Sequence, residues 1–444
     1  MTVERPGYAV FTLRSGEALE NVPAHADCLT GAGRAASRLD GGPLDRALRH
    51  RGDGFRAEAV YHARRSLNVA GEQHRGYDDV EEELGLSRTY RVRLADPAAT
   101  PFVLDRLRAL PSVESAAVQT LATAPFEAAV AAGAPTAERA GAAHAMVRAD
   151  EALDIEPGDE RVTVACVDSG IALGHAELQR KLLAGFDSVD IGLGAVGPQL
   201  RLVGDSRGHD FAPLDDVGHG THVAGVIGAQ GWRMPRGLGG RALILPIRVL
   251  AGARPGKGTR PVGVGALPDI DAGMKIAVDL GSQVINMSFG TRGEQIAEGA
   301  PPPHQAVVTY ATRYGCVLIA ASGNSGRRER FYPAALPEVV AVGSVDLEGR
   351  PSRFSTSGDH VAIMAPGERI YSSDRRGYRA ASGTSFAAPF VAAAAALLLA
   401  RRRRQGRPRP APAEVRTALV GSARNGVLDA AAALHHLDAQ EASP

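Results

Sequence analysis

The strongest constraint on how this chain folds is a series of short, nearly continuous apolar runs in its second part. They fall at 162–167, 242–250, 283–287, 316–321 and 339–345. A strand with one wet face alternates apolar and polar side chains, whereas a strand buried on both faces does not. The runs therefore predict a mostly parallel sheet covered by helices on both sides. Helical patterns stand between them, for example at 272–280 and 305–313. Strand and helix in alternation make a layered α/β domain. Sites in such sheets form where strands end, so the residues just after each run matter most.

Residues 1–121 have a different texture, richer in Arg, Glu and His. Strand-like pieces fall at 8–13, 55–61, 90–94 and 113–121. Helical patterns fall at 44–50 and at 98–110, where Phe102, Val103, Leu107 and Leu110 recur at helical spacing. The order βαββαβ predicts a small α+β unit of the ferredoxin-like kind. Residues 66–86 show no pattern and read as a loop. The Ala/Gly/Pro-rich stretch 122–146 reads as an exposed linker. The expected division is 1–121, linker 122–146, main domain 147–437 and a tail at 438–444.

Composition excludes several classes. With 44% hydrophobic and 22% charged residues among 444, the chain has material for a large core and is not a disordered tail. Fifty Lys+Arg against 49 Asp+Glu give a net charge of +1, so no global field points to nucleic acid or an anionic membrane. The run Arg401–Arg404, with Arg407 and Arg409, lacks interleaved aromatics and reads as a solvated helix end. The apolar run 386–400 contains Pro389 and falls short of the roughly 20 residues that span a bilayer, so it reads as a core helix. Cys28, Cys166 and Cys316 form no disulfide framework and no zinc spacing, which fits a reducing compartment. The start Met-Thr-Val-Glu-Arg-Pro-Gly lacks a basic-then-apolar pattern, so the expected location is cytoplasmic, or secreted if the true start differs.

Four segments carry chemistry. Asp168 follows the first run in Val167-Asp168-Ser169-Gly170; alone it reads as a turn or cap residue. His219 lies in Gly218-His219-Gly220-Thr221-His222-Val223-Ala224-Gly225, whose small residues let a helix pack tightly. Ser385 lies in Gly383-Thr384-Ser385-Phe386-Ala387-Ala388-Pro389, at the start of the long apolar helix. A helix N-terminus favours developing negative charge there, although an ordinary capping serine is the plainer reading. Asn324, in Ala321-Ser322-Gly323-Asn324, could donate into a site or simply form an Asx turn.

Taken together, these four motifs resemble the signatures of the subtilisin-like serine proteases, in the same Asp, His, Ser order. The segments 284–290, Tyr332-Pro333-Ala334, Ala365-Pro366-Gly367 and 425–430 resemble that family too. The resemblance covers about residues 145–435. It implies a three-layer α/β/α domain and a serine endopeptidase acting through Asp168, His219 and Ser385. It implies an oxyanion hole from Asn324 and the Ser385 N–H. An extended peptide would bind along Ser288, Phe289 and Gly290, with Ala321, Ser322 and Gly323 forming the other wall of the first pocket. Phe331 stands where the family often has a small residue, so a shallow pocket is expected, with an acidic preference from Arg327, Arg328 and Arg330. The N-terminal unit resembles the family's propeptide, a tethered inhibitor, and self-cleavage is expected within 122–136. No cofactor is needed for the chemistry. Structural calcium is left open, because Asp205, Asp210, Asp215 and Asp216 show no diagnostic spacing and read as a solvated acidic loop. His222 is assigned a structural role. An intracellular enzyme of this kind suits maturation of one precursor peptide. The alternative is a catalytically silent protein that binds peptides on the same fold. A serine-carboxyl peptidase is discounted, because that class lacks the Gly-His-Gly-Thr-His segment.

Overall fold

The structure is a computed structural model that describes residues 3–19, 21–64, 76–124, 137–192, 196, 200–207, 211–256, 260–296 and 301–439. The N-terminal unit has four strands, β1 (Val3–Leu13), β2 (Phe55–Ala59), β3 (Thr89–Leu94) and β4 (Val113–Thr123). They lie in the order β2-β3-β1-β4, antiparallel throughout, as the βαββαβ reading requires. Alternation in β1 sends Ala9, Phe11 and Leu13 into the core. The helix Thr100–Arg108 covers this face with Val103, Leu104 and Leu107. Phe102 does not join them; it is 57% exposed and stacks on His50. Asp96 caps a separate short turn at Pro97–Ala99, so the helix starts at Thr100, and the inward stripe begins one residue after Phe102. Within 66–86, residues 66–75 lie outside the described residues, while Asp79–Glu83 forms a helix capped by Asp78.

The main domain is built on a seven-stranded sheet, parallel throughout. Its centre is Val284–Met287, with Thr163–Asp168 and Leu243–Arg248 on one side and Val317–Ala321 and Val339–Val345 on the other. Successive residues of one strand feed opposite layers. Val164 and Cys166 pack with His219–Gly228 and Thr384–Arg404, while Ala165 and Val167 pack with Leu267–Asp279 and Gln305–Arg313. Both faces are dry, which is why the runs show no polar alternation. Thr384–Arg404 is long and apolar enough to cross a membrane, but 94% of its most apolar 18 residues are buried inside the protein. Its basic end is not simply solvated as expected. Arg402 is buried, Arg401 pairs with Asp438 and Arg404 with Glu156, both at 2.8 Å. Among the described residues, the cysteines are all free.

The two units share a sheet. The end of β4 pairs antiparallel with Val262–Ala266, and the ladder continues through Ala251–Arg254 to Arg201–Val203. The stretch 122–146 is thus not an exposed linker at either end. Ala122 and Ala124 are buried, and Ala137–Met146 is a helix that buries Ala143 and His144. Small residues read as linker in a sequence, but they are also what close strand and helix packing requires.

Charge is buried between the units at both ends of the Leu267–Asp279 helix. At its start, Arg91 bonds Glu58, Asp190 and Asp269, and His25 bridges Glu58 Oε1 (3.1 Å) and Ser188 O (3.0 Å). At its end, Lys275 meets Glu81 (2.6 Å) and Asp279 (2.7 Å). Asp279 also meets His62 (3.0 Å) and accepts from Tyr310 (2.6 Å). His25, Glu58 and Asp190 are close enough to hold a metal ion, but the Arg91 guanidinium already supplies the cation there.

Candidate active site

Asp168 ends the strand Thr163–Asp168, next to the central one, and is fully buried. Its Oδ1 accepts from Ser169 N (2.7 Å) and from His219 Nδ1 (2.8 Å). A carboxylate only accepts, so the proton on this His edge sits on Nδ1 and Nε2 is the basic nitrogen. His219 is the first residue of its helix. Gly220 allows the approach, because a Cβ there would stand 2.2 Å from Gly170 O. The helix start is held by Asp215, which sequence reasoning had placed only in the acidic loop. Its Oδ1 accepts from Val217 N and Gly218 N (2.8 Å each), and its Oδ2 from Thr221 N (3.0 Å) and Thr221 Oγ1 (2.6 Å). Ser169 Oγ donates to Asp215 (2.9 Å) and accepts from Gly220 N (3.0 Å). Burial pushes the Asp215 carboxyl up against the pull of these bonds. The carboxylate thus ties the Asp168 strand end to the His219 helix. The available signal was an aspartate three residues before a Gly-His helix start, a capping distance.

Ser385 opens the Thr384–Arg404 helix and is almost fully buried. Pro389 lies inside this helix, at its second turn rather than its first. A proline has no N–H, so the carbonyl four residues back, that of Ser385, loses its helical partner. Ser288 Oγ replaces it, donating to Ser385 O at 3.0 Å, while Ser385 Oγ donates to Ser288 O at 3.4 Å. Asn286 Nδ2 donates to Ser288 Oγ at 3.1 Å. The serine turn is therefore clamped to the end of Val284–Met287. Phe386 packs on both imidazoles, with centroids 5.4 Å from His219 and 4.4 Å from His222. His222 donates Nε2–H to Ile370 O at 3.0 Å, and burial holds its pKa well below the usual range.

Asn324 Oδ1 accepts from Thr384 N and Thr384 Oγ1, both at 2.9 Å. That fixes the amide orientation and turns Nδ2 toward the serine turn, 3.0 Å from where a Gly383 Cβ would stand. The two expected walls face each other across Phe331. Its ring lies 2.6 Å from a Cβ built on Gly290 and 3.1 Å from one built on Gly323, whose φ is +104°. Phe289 turns its ring away, fully buried against His304, so it offers the groove only backbone. Of the loop arginines, Arg328 is paired with Asp359, so the expected acidic preference rests on fewer charges. Asp210 lies outside the described residues. Asp216 accepts from Asp205 N (2.8 Å) and pairs with Arg248 (3.2 Å).

Two further edges escaped the sequence reading. Val249 N (2.8 Å) and Leu250 N (3.2 Å) both donate to Asp168 O, and Leu250 packs under the Val262–Ala266 strand.

Comparison with known proteins gives the family. Residues 159–438 match the model of the subtilase family. The chain is 34% identical over 247 residues to a thermophilic serine proteinase of Bacillus sp. strain AK1, covering 55% of this chain and 53% of that one. It is 34% identical over 250 residues to thermitase of Thermoactinomyces vulgaris, covering 55% of this chain and 77% of thermitase. This chain therefore spans about half of the first relative and about three quarters of the second. Among solved structures, a protease from Pseudoalteromonas arctica PAMC 21717 superposes with a TM-score of 0.54 at 26% identity, covering 66% of this chain and 94% of that one.

Proposed function

Because the chain belongs to the subtilase family of serine endopeptidases, we propose that it cuts peptide bonds by nucleophilic catalysis at Ser385. The buried 2.8 Å bond between Asp168 Oδ1 and His219 Nδ1 carries the reading, because it leaves Nε2 as a base on the helix that Phe386 packs against the serine turn. A serine hydroxyl is a weak nucleophile and needs that base. His219 takes the Ser385 proton as Oγ attacks the carbonyl carbon, then returns it to the leaving amine. Asp168 holds the tautomer and stabilises the imidazolium. The 3.4 Å bond from Ser385 Oγ to Ser288 O is long and readily exchanged for one to His219. Asn324 Nδ2 and the Ser385 N–H stabilise the tetrahedral oxyanion. Water then hydrolyses the acyl-enzyme by the same steps in reverse order. No cofactor enters the chemistry.

Phe331 fills the first pocket, so the residue before the cut bond is small. The N-terminal unit acts as a tethered inhibitor, released or loosened by a cut within 122–136; residues 125–136 of that segment lie outside the described residues. A narrow pocket and an occupied sheet edge suit an enzyme with few substrates, such as one that matures a single precursor peptide, better than a digestive one. Intact mass of the wild type beside Ser385→Ala tests the reading. The wild type loses a fragment ending within 122–136, and the variant stays whole. If the wild type stays whole, self-processing is absent. If it also fails to react with a fluorophosphonate at Ser385, the silent peptide-binding alternative stands instead.

A further inference from the structure

The N-terminal unit has two faces. Along β3, Tyr90, Val92 and Leu94 turn into the unit's own core beneath its helices, whereas Arg91, between them, reaches Asp269 of the main domain. Successive residues of a strand point to opposite faces. The helix layer therefore lies on the far side of the sheet from the main domain.

That layer is made of Pro43–Leu48 and Thr100–Arg108. Leu44, Ala47 and Leu48 of the first helix and Val103, Leu104 and Leu107 of the second supply its packing. Phe102 stays outside that core. Its ring lies nearly parallel to that of His50, 5.2 Å between centroids, and remains 57% exposed. Four exposed arginines stand with this ring pair. Arg46 lies on the first helix, Arg49 and Arg51 flank His50, and Arg106 follows Phe102 by one turn on the same helix face. Arg106 Nη1 donates to Arg49 O (3.2 Å), which ties the two helices together here, and Arg49 Nη2 donates to Ser37 O (2.9 Å). Among the described residues none of the four is ion-paired; Asp45 pairs with Arg38 and Asp105 with Arg108 instead. Asp53 follows in the turn after His50 and offsets one of them at most. The whole chain has a net charge of only +1, so this is a local concentration. Like charges that repel one another around a wet aromatic ring do not serve the fold of the unit.

We infer that this face is a docking surface for a partner peptide segment that is rich in Asp and Glu and carries an aromatic or large aliphatic side chain. Aromatic residues and arginine are the side chains that dominate protein interfaces. A carboxylate matches the guanidinium fork with two parallel bonds. Arg49 and Arg106 each spend one nitrogen on a carbonyl, which holds the fork in place and leaves its other donors for the partner. The partner's apolar side chain covers Phe102. A single-stranded nucleic acid fits less well, because stacking successive bases needs several free ring faces and His50 covers one face of Phe102. The surface lies away from the main domain, so a partner occupies it while the N-terminal unit stays seated, and binding does not depend on a working Ser385.

The test uses the full-length Ser385→Ala chain, so that no probe is cut. Fluorescence anisotropy follows the fluorescein-labelled peptide Gly-Ser-Glu-Asp-Phe-Glu-Asp-Ser-Gly at low salt. Beside it run the same peptide with Gln and Asn for its acids, the same peptide with Ser for its Phe, and an oligothymidylate of equal length. The acidic Phe peptide should bind, and both altered peptides should bind at least about tenfold more weakly. Added salt should weaken the binding of the first. Phe102→Ser/Arg106→Glu should lower its affinity by at least about tenfold. Both side chains are exposed, so this variant should fold; should it not, Arg46→Ser/Arg51→Ser should weaken binding several-fold. An acidic peptide that binds no better than its neutral form, or equally well to the variants, overturns the inference. So does the failure of every probe to bind at up to about 1 mM. An oligothymidylate that binds more tightly than the peptide, and is lost in the variant, overturns it in favour of a nucleic-acid surface.

Discussion

The strand-end site and the flank of the Leu267–Asp279 helix both bury charge away from water, and they balance it differently. At the site, Asp168 is fully buried and faces a single imidazole. Among the described residues its negative charge meets no cation until His219 gains a proton, so the imbalance is matched only during the reaction. Along the helix, Arg91 is shared among Glu58, Asp190 and Asp269, and Lys275 between Glu81 and Asp279. Each cation there is fixed between carboxylates at rest. A paired buried network resists the loss of a cation, because each loss strands the charges it holds. Substitution at the site should therefore cost chemistry and spare the fold, and substitution at the flank should do the reverse.

The sharpest way to break this contrast is Ser385→Ala. We expect peptide hydrolysis to fall by roughly 10⁶ while the thermal midpoint stays near that of the wild type. A large drop in midpoint would mean the Ser288–Ser385 clamp depends on the hydroxyl as well as on the backbone. Asp168→Asn comes next. An amide at this position can hold His219 in the wrong tautomer, and a loss of roughly 10⁴ in kcat follows. An activity within tenfold of the wild type would contradict the role given to that carboxylate.

The flank gives the converse experiment. Arg91→Met leaves Glu58, Asp190 and Asp269 without their shared cation, at a cost of about 3–5 kcal/mol in unfolding free energy. It should not change how fast Ser385 reacts with a fluorophosphonate. Denaturant unfolding of a Ser385→Ala/Arg91→Met double variant measures the first quantity without self-digestion, and probe labelling of Arg91→Met measures the second. Asn324→Ala returns to the site at smaller scale. It removes one oxyanion donor and should lower kcat by roughly 10²–10³. Its effect on stability should be smaller than that of Arg91→Met, since the bonds lost to Thr384 N and Thr384 Oγ1 strand neutral donors rather than a charge.

The same contrast explains what was legible in the sequence. Asp168, His219, Asn324 and Ser385 each sit inside a contiguous motif whose small neighbours are needed for backbone approach. Gly220 against Gly170 is one case, so the local sequence carries the geometry. The parallel sheet was legible for a similar reason, since burial on both faces writes itself into a run of adjacent residues. The flank was not legible. His25, Glu58, His62, Glu81 and Arg91 are spread through short helices, strands and a loop and look like ordinary surface polar residues until the Leu267–Asp279 helix meets them. Asp215 shows both sides: its acid was visible, but its five-residue span of backbone donors was not. The 122–146 stretch misled because alanine and glycine mark linkers and tight contacts alike.

His144 lies between these regions and gives the smallest effect. It sits on the Ala137–Met146 helix with its ring edge-on to Phe390 of the serine helix, 5.1 Å between centroids. Neither ring nitrogen has a hydrogen-bond partner among the described residues. Burial alone pushes its pKa down to about 4. Above the unfolded value of about 6.5 the ring is neutral in both states, and its full packing contribution is present. As pH falls, the unfolded chain takes up a proton that the folded chain refuses until about pH 4. Stability is therefore lost across that window, by about 3 kcal/mol in total from this residue. His62 and His222 are also held below their usual range, so acid acts on them in the same direction. The share of His144 is isolated by denaturant unfolding at pH 7 and pH 4.5 in Ser385→Ala, with and without His144→Leu. The leucine variant should lose less stability on acidification. An identical loss in both proteins would place the His144 ring in contact with water, and the rear of the serine helix would then not be the dry layer that supports the site.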